Sequence, residues 1–167
     1  MNQFDGPNHH ILSSAVGWLE LGNPAEASLE LSHLPKEVWE HPDVLEVRWL
    51  IHAQDEQWTL GLEVARILVE NSPARASGWL HRAYALRRVP EGGLEKAWDA
   101  LLPAAELFPQ EAIIPYNLSC YACQMLRLDD ARDWLRRSIE SGGKGSIRKL
   151  ALRDGDLEVL WPEIQGW

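Results

Sequence analysis

The chain has 167 residues, of which 46% are hydrophobic, enough for one domain or a short array of repeats with a buried core. Its 25 acidic and 16 basic side chains give a net charge of −9, which repels phosphate backbones and argues against a nucleic-acid partner. The first residues lack the pattern of a signal peptide, and no apolar stretch reaches the roughly 18 residues of a membrane span. We therefore expect a soluble, cytoplasmic protein with no membrane partner.

Helical periodicity runs along the whole chain. Apolar residues recur at three- and four-residue spacing, as at Leu60, Val64 and Leu68, and no alternating run of strand length occurs. Helix-breaking residues interrupt this pattern at regular intervals: residues 22–24, Pro35, Pro42, Pro73, residues 90–93, Pro109 and residues 141–146. The pattern predicts an all-α fold of short helices, each of about 10 to 15 residues, arranged in pairs.

A recurring small residue marks the second helix of each predicted pair. It is followed four positions later by an apolar residue, at Ala27/Leu31, Gly61/Ala65, Ala97/Leu101 and Ala131/Leu135. Successive small residues are 34, 36 and 34 positions apart. Small side chains let neighbouring helix backbones approach closely, so this period predicts helix pairs that stack on one another.

The period and its residues resemble the tetratricopeptide repeat (TPR) family, whose pattern is Trp-x2-Leu-Gly-x2-Tyr, then Ala-x3-Phe, then Pro. The third unit supplies Trp79, Ala83, Leu86, Ala97, Leu101 and Pro109. The second unit departs most, with Trp49 where a small residue is usual and Gly61 where alanine is usual. The resemblance implies an αα-superhelix of about four helix pairs with a C-terminal cap.

The phase of the repeats gives a set of predicted boundaries. They are an N-terminal tail at 1–7, repeats at 8–41, 42–75, 76–109 and 110–143, and a cap at 144–167. Within the cap we expect one short helix over 146–152 and a second that Asp156 caps and Pro162 ends. An open solenoid end needs such a cover, and the stretch ALRDGDLEVLW resembles the closing segment of many bacterial TPR proteins.

Catalytic and metal-binding motifs are not found in the sequence. The glycine-rich stretch at 141–146 lacks the glycine spacing and the preceding strand of a phosphate loop, and the six histidines form no i, i+4 pair. We therefore expect a non-enzymatic protein without a metal or cofactor. The alternative from a different class is a thiol redox or metal protein that uses Cys120 and Cys123, whose spacing is that of a CxxC motif.

That alternative conflicts with the predicted position of the two cysteines. A thioredoxin-like pair sits at a helix N-terminus after a strand, and zinc needs two further ligands. Cys120 and Cys123 instead lie in the middle of a predicted helix. We expect them to line a groove as small apolar side chains.

In TPR proteins the binding surface is usually the concave face, formed by the first helix of each pair. By phase with the family, the partner-binding residues are Glu46, Gln54, Leu80, Tyr84, Arg87, Arg88, Tyr116, Cys120 and Gln124, and Glu20 and Leu50 share this face. Arginine binds carboxylates and tyrosine supplies rigid contact area, so the expected function is a scaffold or adaptor that binds a peptide or protein segment. A small acidic chaperone like those of type III secretion, and self-association, are alternatives.

Overall fold

The computed structural model describes residues 6–167, and this part of the chain is helical without a strand. Its α-helices are α1 (Pro7–Glu20), α2 (Pro24–Leu31), α3 (Pro42–Gln54), α4 (Trp58–Asn71), α5 (Ala76–Leu86), α6 (Leu94–Leu101), α7 (Ala104–Leu107), α8 (Ile113–Gln124), α9 (Leu128–Gly142), α10 (Lys144–Ala151) and α11 (Trp161–Gly166). Two 3₁₀ helices span Lys36–Val38 and Gly155–Leu160. The prediction of an all-α fold is confirmed, and no helix within residues 6–167 is long and apolar enough to cross a bilayer.

The chain divides into two compact units between Ala85 and Leu86. Unit 1 contains α1 to α4 and all of α5 except its last residue, and unit 2 contains α6 to α11. The division falls inside the predicted third repeat, 76–109. The boundaries of the four repeats stay a prediction, and the predicted tail at 1–7 lies outside the described residues except for Gly6 and Pro7.

Prolines start the first three helices of unit 1. Each of these helices has proline in its first turn, where the missing N–H group costs no intrahelical hydrogen bond. The Asn23 side chain caps α2 by accepting a hydrogen bond from the N–H of Glu26 at 3.2 Å. His41 caps α3 in the same way through the N–H of Asp43 at 3.3 Å. The breakers of the sequence therefore act as helix starts as well as helix ends.

Small residues lie where the helices of unit 1 cross. Ala15 on α1 and Ala27 on α2 are fully buried in one apolar cluster with Leu31 and Val44. In the second pair the sizes are exchanged, because the large Trp49 on α3 faces Gly61 on α4. A methyl group placed on Gly61 would already touch Nε1 of Trp49 at 3.6 Å. The second predicted repeat, 42–75, therefore departs from the TPR pattern by two complementary changes, a large residue on α3 and a small one on α4.

The core of unit 2 is built around α8, which packs against α9. Two buried serines donate hydrogen bonds to backbone carbonyl groups in this core. Oγ of Ser119 donates to the carbonyl of Ala131 at 2.7 Å. Oγ of Ser138 donates to the carbonyl of Ala112 at 2.9 Å. Because each buried hydroxyl has an acceptor, it joins neighbouring elements without the cost of an unpaired polar group.

The C-terminal segment packs on this core. Within residues 144–167 the side chains of Ala151, Leu157, Leu160 and Ile164 are fully buried, and the 3₁₀ helix Gly155–Leu160 contacts α8. Two details differ from the prediction. Asp154, not Asp156, caps the 3₁₀ helix, and Pro162 lies in the first turn of α11 instead of ending a helix. The reason is that proline fits the first turn of a helix, where its nitrogen needs no partner.

We expect Gly92→Ala to destabilise the protein, because a Cβ atom on Gly92 would lie 1.7 Å from the carbonyl oxygen of Leu86. That backbone must shift, so the free energy of unfolding should fall by about 1–3 kcal/mol. The matched control is Gly145→Ala in α10, where no atom lies within 4 Å. It should be neutral or stabilising by up to about 1 kcal/mol. Urea unfolding followed by circular dichroism measures both, and equal stability of Gly92→Ala and the parent would contradict the expectation.

Candidate functional site

The predicted groove residues of unit 2 bind the C-terminal segment of the same chain. Nη2 of Arg87 donates to Oδ1 of Asp156 at 2.8 Å, and Nη1 donates to Oδ2 of the same carboxylate. The hydroxyl group of Tyr116 donates to Oδ2 of Asp154 at 2.9 Å. The bidentate geometry is the strong form of an arginine–carboxylate pair.

Two more predicted residues complete this arrangement. The thiol of Cys120 donates to Oδ2 of Asp154 at 3.6 Å, and Nε2 of Gln124 donates to the backbone carbonyl of Asp156 at 3.0 Å. The backbone N–H of Asp156 is held by Oδ1 of Asp154 at 3.0 Å, which fixes the turn itself. We call this set, residues 154–156 and the four side chains that bind them, the acidic-turn site.

Burial and charge act together in the acidic-turn site. The hydrogen bonds to Asp156 raise the pKa of Arg87, so the guanidinium group stays charged. Burial is the main cause that raises the pKa values of Tyr116 and Cys120, and the nearby Asp154 carboxylate adds to both shifts. Tyr116 and Cys120 therefore act as neutral hydrogen-bond donors to a carboxylate.

In unit 2 the turn 154–156 occupies the predicted groove. Tyr116 is only 5% exposed and Cys120 only 3%, so their surface is covered by residues of the same chain. Arg88 is half-buried in unit 2. That these residues bind an external partner stays a prediction. The sequence contained the signal for the internal contact, since Asp154-Gly155-Asp156 offers two carboxylates in a turn to a groove that contains arginine.

The two cysteines do not form a shared site. Both are buried and reduced, and burial raises the pKa of the Cys123 thiol as it does for Cys120. A redox cysteine needs an accessible thiolate, which burial disfavours here. Within residues 6–167, three potential ligand atoms lie within 4.8 Å of one another, and they belong to Cys120, Asp154 and Asp156, not to Cys123. Because Arg87 already neutralises the Asp156 carboxylate, this arrangement favours a structural contact.

The predicted groove residues of unit 1 hold its helices together. Oε1 of Glu46 on α3 accepts hydrogen bonds from Oγ of Ser77 at 2.5 Å and from Nη1 of Arg75 at 3.2 Å. Nε2 of Gln54, two turns later on α3, donates to the carbonyl of Leu19 on α1 at 2.9 Å. These contacts tie α3 to the start of α5 and to the end of α1.

An aromatic cluster lies between α3, α4 and α5. His81 stacks on Trp49 with the ring centroids 3.8 Å apart. Tyr84 meets Trp49 edge-on at 5.9 Å and Trp58 at 5.7 Å. Burial lowers the pKa of His81 to about 4, against a smaller opposing effect of Glu46. The ring is therefore neutral near pH 7 and behaves as part of the core.

Large apolar groups remain at the surface beside this cluster. Leu50 is 40% exposed and Tyr84 is 37% exposed, while Leu80 is half-buried. We call the surface formed by Glu20, Leu50, Gln54, Leu80 and Tyr84 the α1–α3–α5 face. Its members were predicted from the repeat phase, but the aromatic stack beneath them was not, because His81 and Trp49 come from different repeats and only the packing of α5 against α3 brings them together.

Comparison with known proteins supports the fold. No protein-family model and no curated protein matches the sequence. Among solved structures, the chain is similar to the MamA RS-1 ArsTM double mutant, with a TM-score of 0.67 and 19% identity over 79% of this chain and 73% of that one. That neighbour is a TPR-containing protein. The protein has a TPR-like, all-α superhelical fold. At this identity the likeness shows the fold alone.

We expect Asp156→Asn to destabilise unit 2, because it leaves the Arg87 guanidinium, only 23% exposed, without its carboxylate. The free energy of unfolding should fall by about 1–3 kcal/mol. The control is Asp133→Asn, which removes an ion pair whose side chains are 59% and 70% exposed and should cost less than about 0.5 kcal/mol. Urea unfolding of the two variants measures the difference, and equal losses would show that the acidic-turn site adds no stability.

The protein should lose stability as the pH is lowered, because His81 is neutral in the folded protein. Below its ordinary pKa of 6.5 the unfolded chain binds a proton that the folded chain does not bind until about pH 4. Stability is therefore fully present above pH 6.5 and is lost as the pH falls, by about 2 kcal/mol between pH 7 and 4.5. The His81→Gln variant should lack this part of the slope, whereas His10→Gln, at an exposed position, should keep it. Chemical unfolding at several pH values tests this, and parallel slopes for the parent and His81→Gln would contradict it.

Proposed function

We propose that the protein is a non-enzymatic scaffold or adaptor that binds a protein or peptide segment on the α1–α3–α5 face. The observation that carries the proposal is the pair of large apolar side chains, Leu50 and Tyr84, that stay 40% and 37% exposed on this face. Exposed aromatic and apolar side chains on a fixed support are typical of binding surfaces. The TPR-like fold supports the same reading, since stacked helix pairs offer extended binding surfaces.

Side-chain contacts support this face from beneath. The Trp49–His81 stack, the Glu46 hydrogen bonds and the Gln54 contact with Leu19 all join helices that carry the exposed residues. A surface that is already ordered loses little conformational entropy when a partner binds. The contacts of Glu46 and Gln54 therefore contribute to binding by positioning Leu50 and Tyr84.

The acidic-turn site favours unit 1 over unit 2 as the place of binding. Arg87, Tyr116 and Cys120 contact residues 154–156, and the neighbouring Leu157 is fully buried. An external peptide would have to displace this packed segment before it reached them. We therefore assign these residues a structural role and the partner to the α1–α3–α5 face.

Site-specific photocrosslinking tests the proposal. p-Benzoylphenylalanine is placed at position 50 and, as a matched control, at position 107, where Leu107 of unit 2 is 56% exposed. The full chain is irradiated in the cells that express it, and adducts are identified by mass spectrometry. We expect an adduct at position 50 that is absent at position 107. No adduct at position 50, or the same adducts at both positions, would contradict the proposal.

A further inference from the structure

Two helix ends lie together beside the α1–α3–α5 face. The bond from Nε2 of Gln54 to the carbonyl of Leu19 brings the C-terminal end of α3 to the C-terminal end of α1. The exposed side chains of Glu20, Asp55 and Glu56 lie at these two ends. Among the described residues none of these three carboxylates forms an ion pair. We call these three residues the acidic rim.

The local field at the acidic rim is negative for two reasons. The carboxylates carry full charges, and the C-terminal ends of α1 and α3 add the negative ends of two helix dipoles. The wider surroundings have the same sign, because residues 1–75 contain 12 acidic and 4 basic side chains. This field attracts cations and repels anionic segments.

The acidic rim adjoins the apolar part of the face. Trp58 begins α4 two residues after Glu56, and its ring lies 5.7 Å from that of Tyr84. Leu50 lies one turn before Gln54 on the same side of α3. Aromatic rings next to carboxylates also suit cationic side chains, which are attracted to the faces of the rings.

We propose that the α1–α3–α5 face binds a basic amphipathic segment of a partner protein. Its Arg or Lys side chains pair with Glu20, Asp55 and Glu56, and its large apolar side chain packs on Leu50 and Tyr84. This inference rests on the proposed function and adds the chemistry of the partner. The apolar contact supplies most of the affinity, and the charges select the partner and speed its association.

Fluorescence anisotropy with labelled probe peptides tests the charge preference on the full chain. The basic probe has three tandem copies of Arg-Leu-Arg-Phe, and the neutral probe has citrulline at every Arg position. We expect the basic probe to bind at least about tenfold more tightly, with a preference that shrinks as salt is added. Equal binding of the two probes would overturn the inference.

Two triple variants localise the effect. The rim triple variant should weaken binding of the basic probe by about tenfold. It combines Glu20→Gln, Asp55→Asn and Glu56→Gln. The matched control, Glu37→Gln, Glu63→Gln and Glu70→Gln, removes the same charge from exposed positions elsewhere in unit 1 and should change binding less than about twofold. If both triples weaken binding equally, the attraction is not specific to the acidic rim and the inference fails. Circular dichroism checks that both variants fold.

The outcomes separate this inference from the proposed function. A photocrosslinked partner at position 50 whose contact segment lacks basic residues would overturn the inference and leave the proposed function standing. Capture of a second copy of the chain at position 50, with dimer formation in sedimentation that the rim triple does not abolish, would likewise overturn it. Absence of any adduct at position 50 would count against the proposed function itself.

Discussion

Close approach of paired helices is the constraint on which both units depend. A single helix pair cannot bury its apolar face alone, so its backbones must come near enough for side chains to interdigitate. The residues at these contacts are fully buried and small: Ala15 and Ala27 between α1 and α2, and Ser119 and Ala131 between α8 and α9. Trp49 and Gly61 meet the same constraint with the sizes reversed. The repeat period in the sequence results from this packing requirement.

The acidic-turn site follows from the same constraint at the end of a chain of helices. The 3₁₀ helix Gly155–Leu160 packs on α8, and its Leu157 and Leu160 are fully buried. Arg87 and Tyr116 bind the two aspartates that open this segment, while Leu157 and Leu160 fill the core. Side chains that would bind a ligand elsewhere thus serve the fold here. In unit 1 the corresponding face keeps exposed Leu50 and Tyr84, and the proposed function lies there.

The CxxC spacing shows how the environment decides the chemistry of a motif. Cys120 and Cys123 are one turn apart on α8, both buried, and their thiol pKa values are raised mainly by burial. His81 shows the corresponding effect for a base, because burial lowers its pKa to about 4. In both cases burial favours the neutral form, so these side chains act in packing and hydrogen bonding.

The sequence by itself determined the all-α class, the breaks between helices and the small residues at the helix contacts, because periodicity and backbone preferences are local properties of the chain. It also placed Leu50 and Tyr84 on first helices, whereas Arg87 lies in the turn directly after α5. Only the tertiary structure decided which groups they meet. Arg87 binds Asp156 across 69 positions, and Gln54 reaches Leu19 across 35. Such pairings depend on how distant helices are placed against one another, and no local pattern encodes that placement.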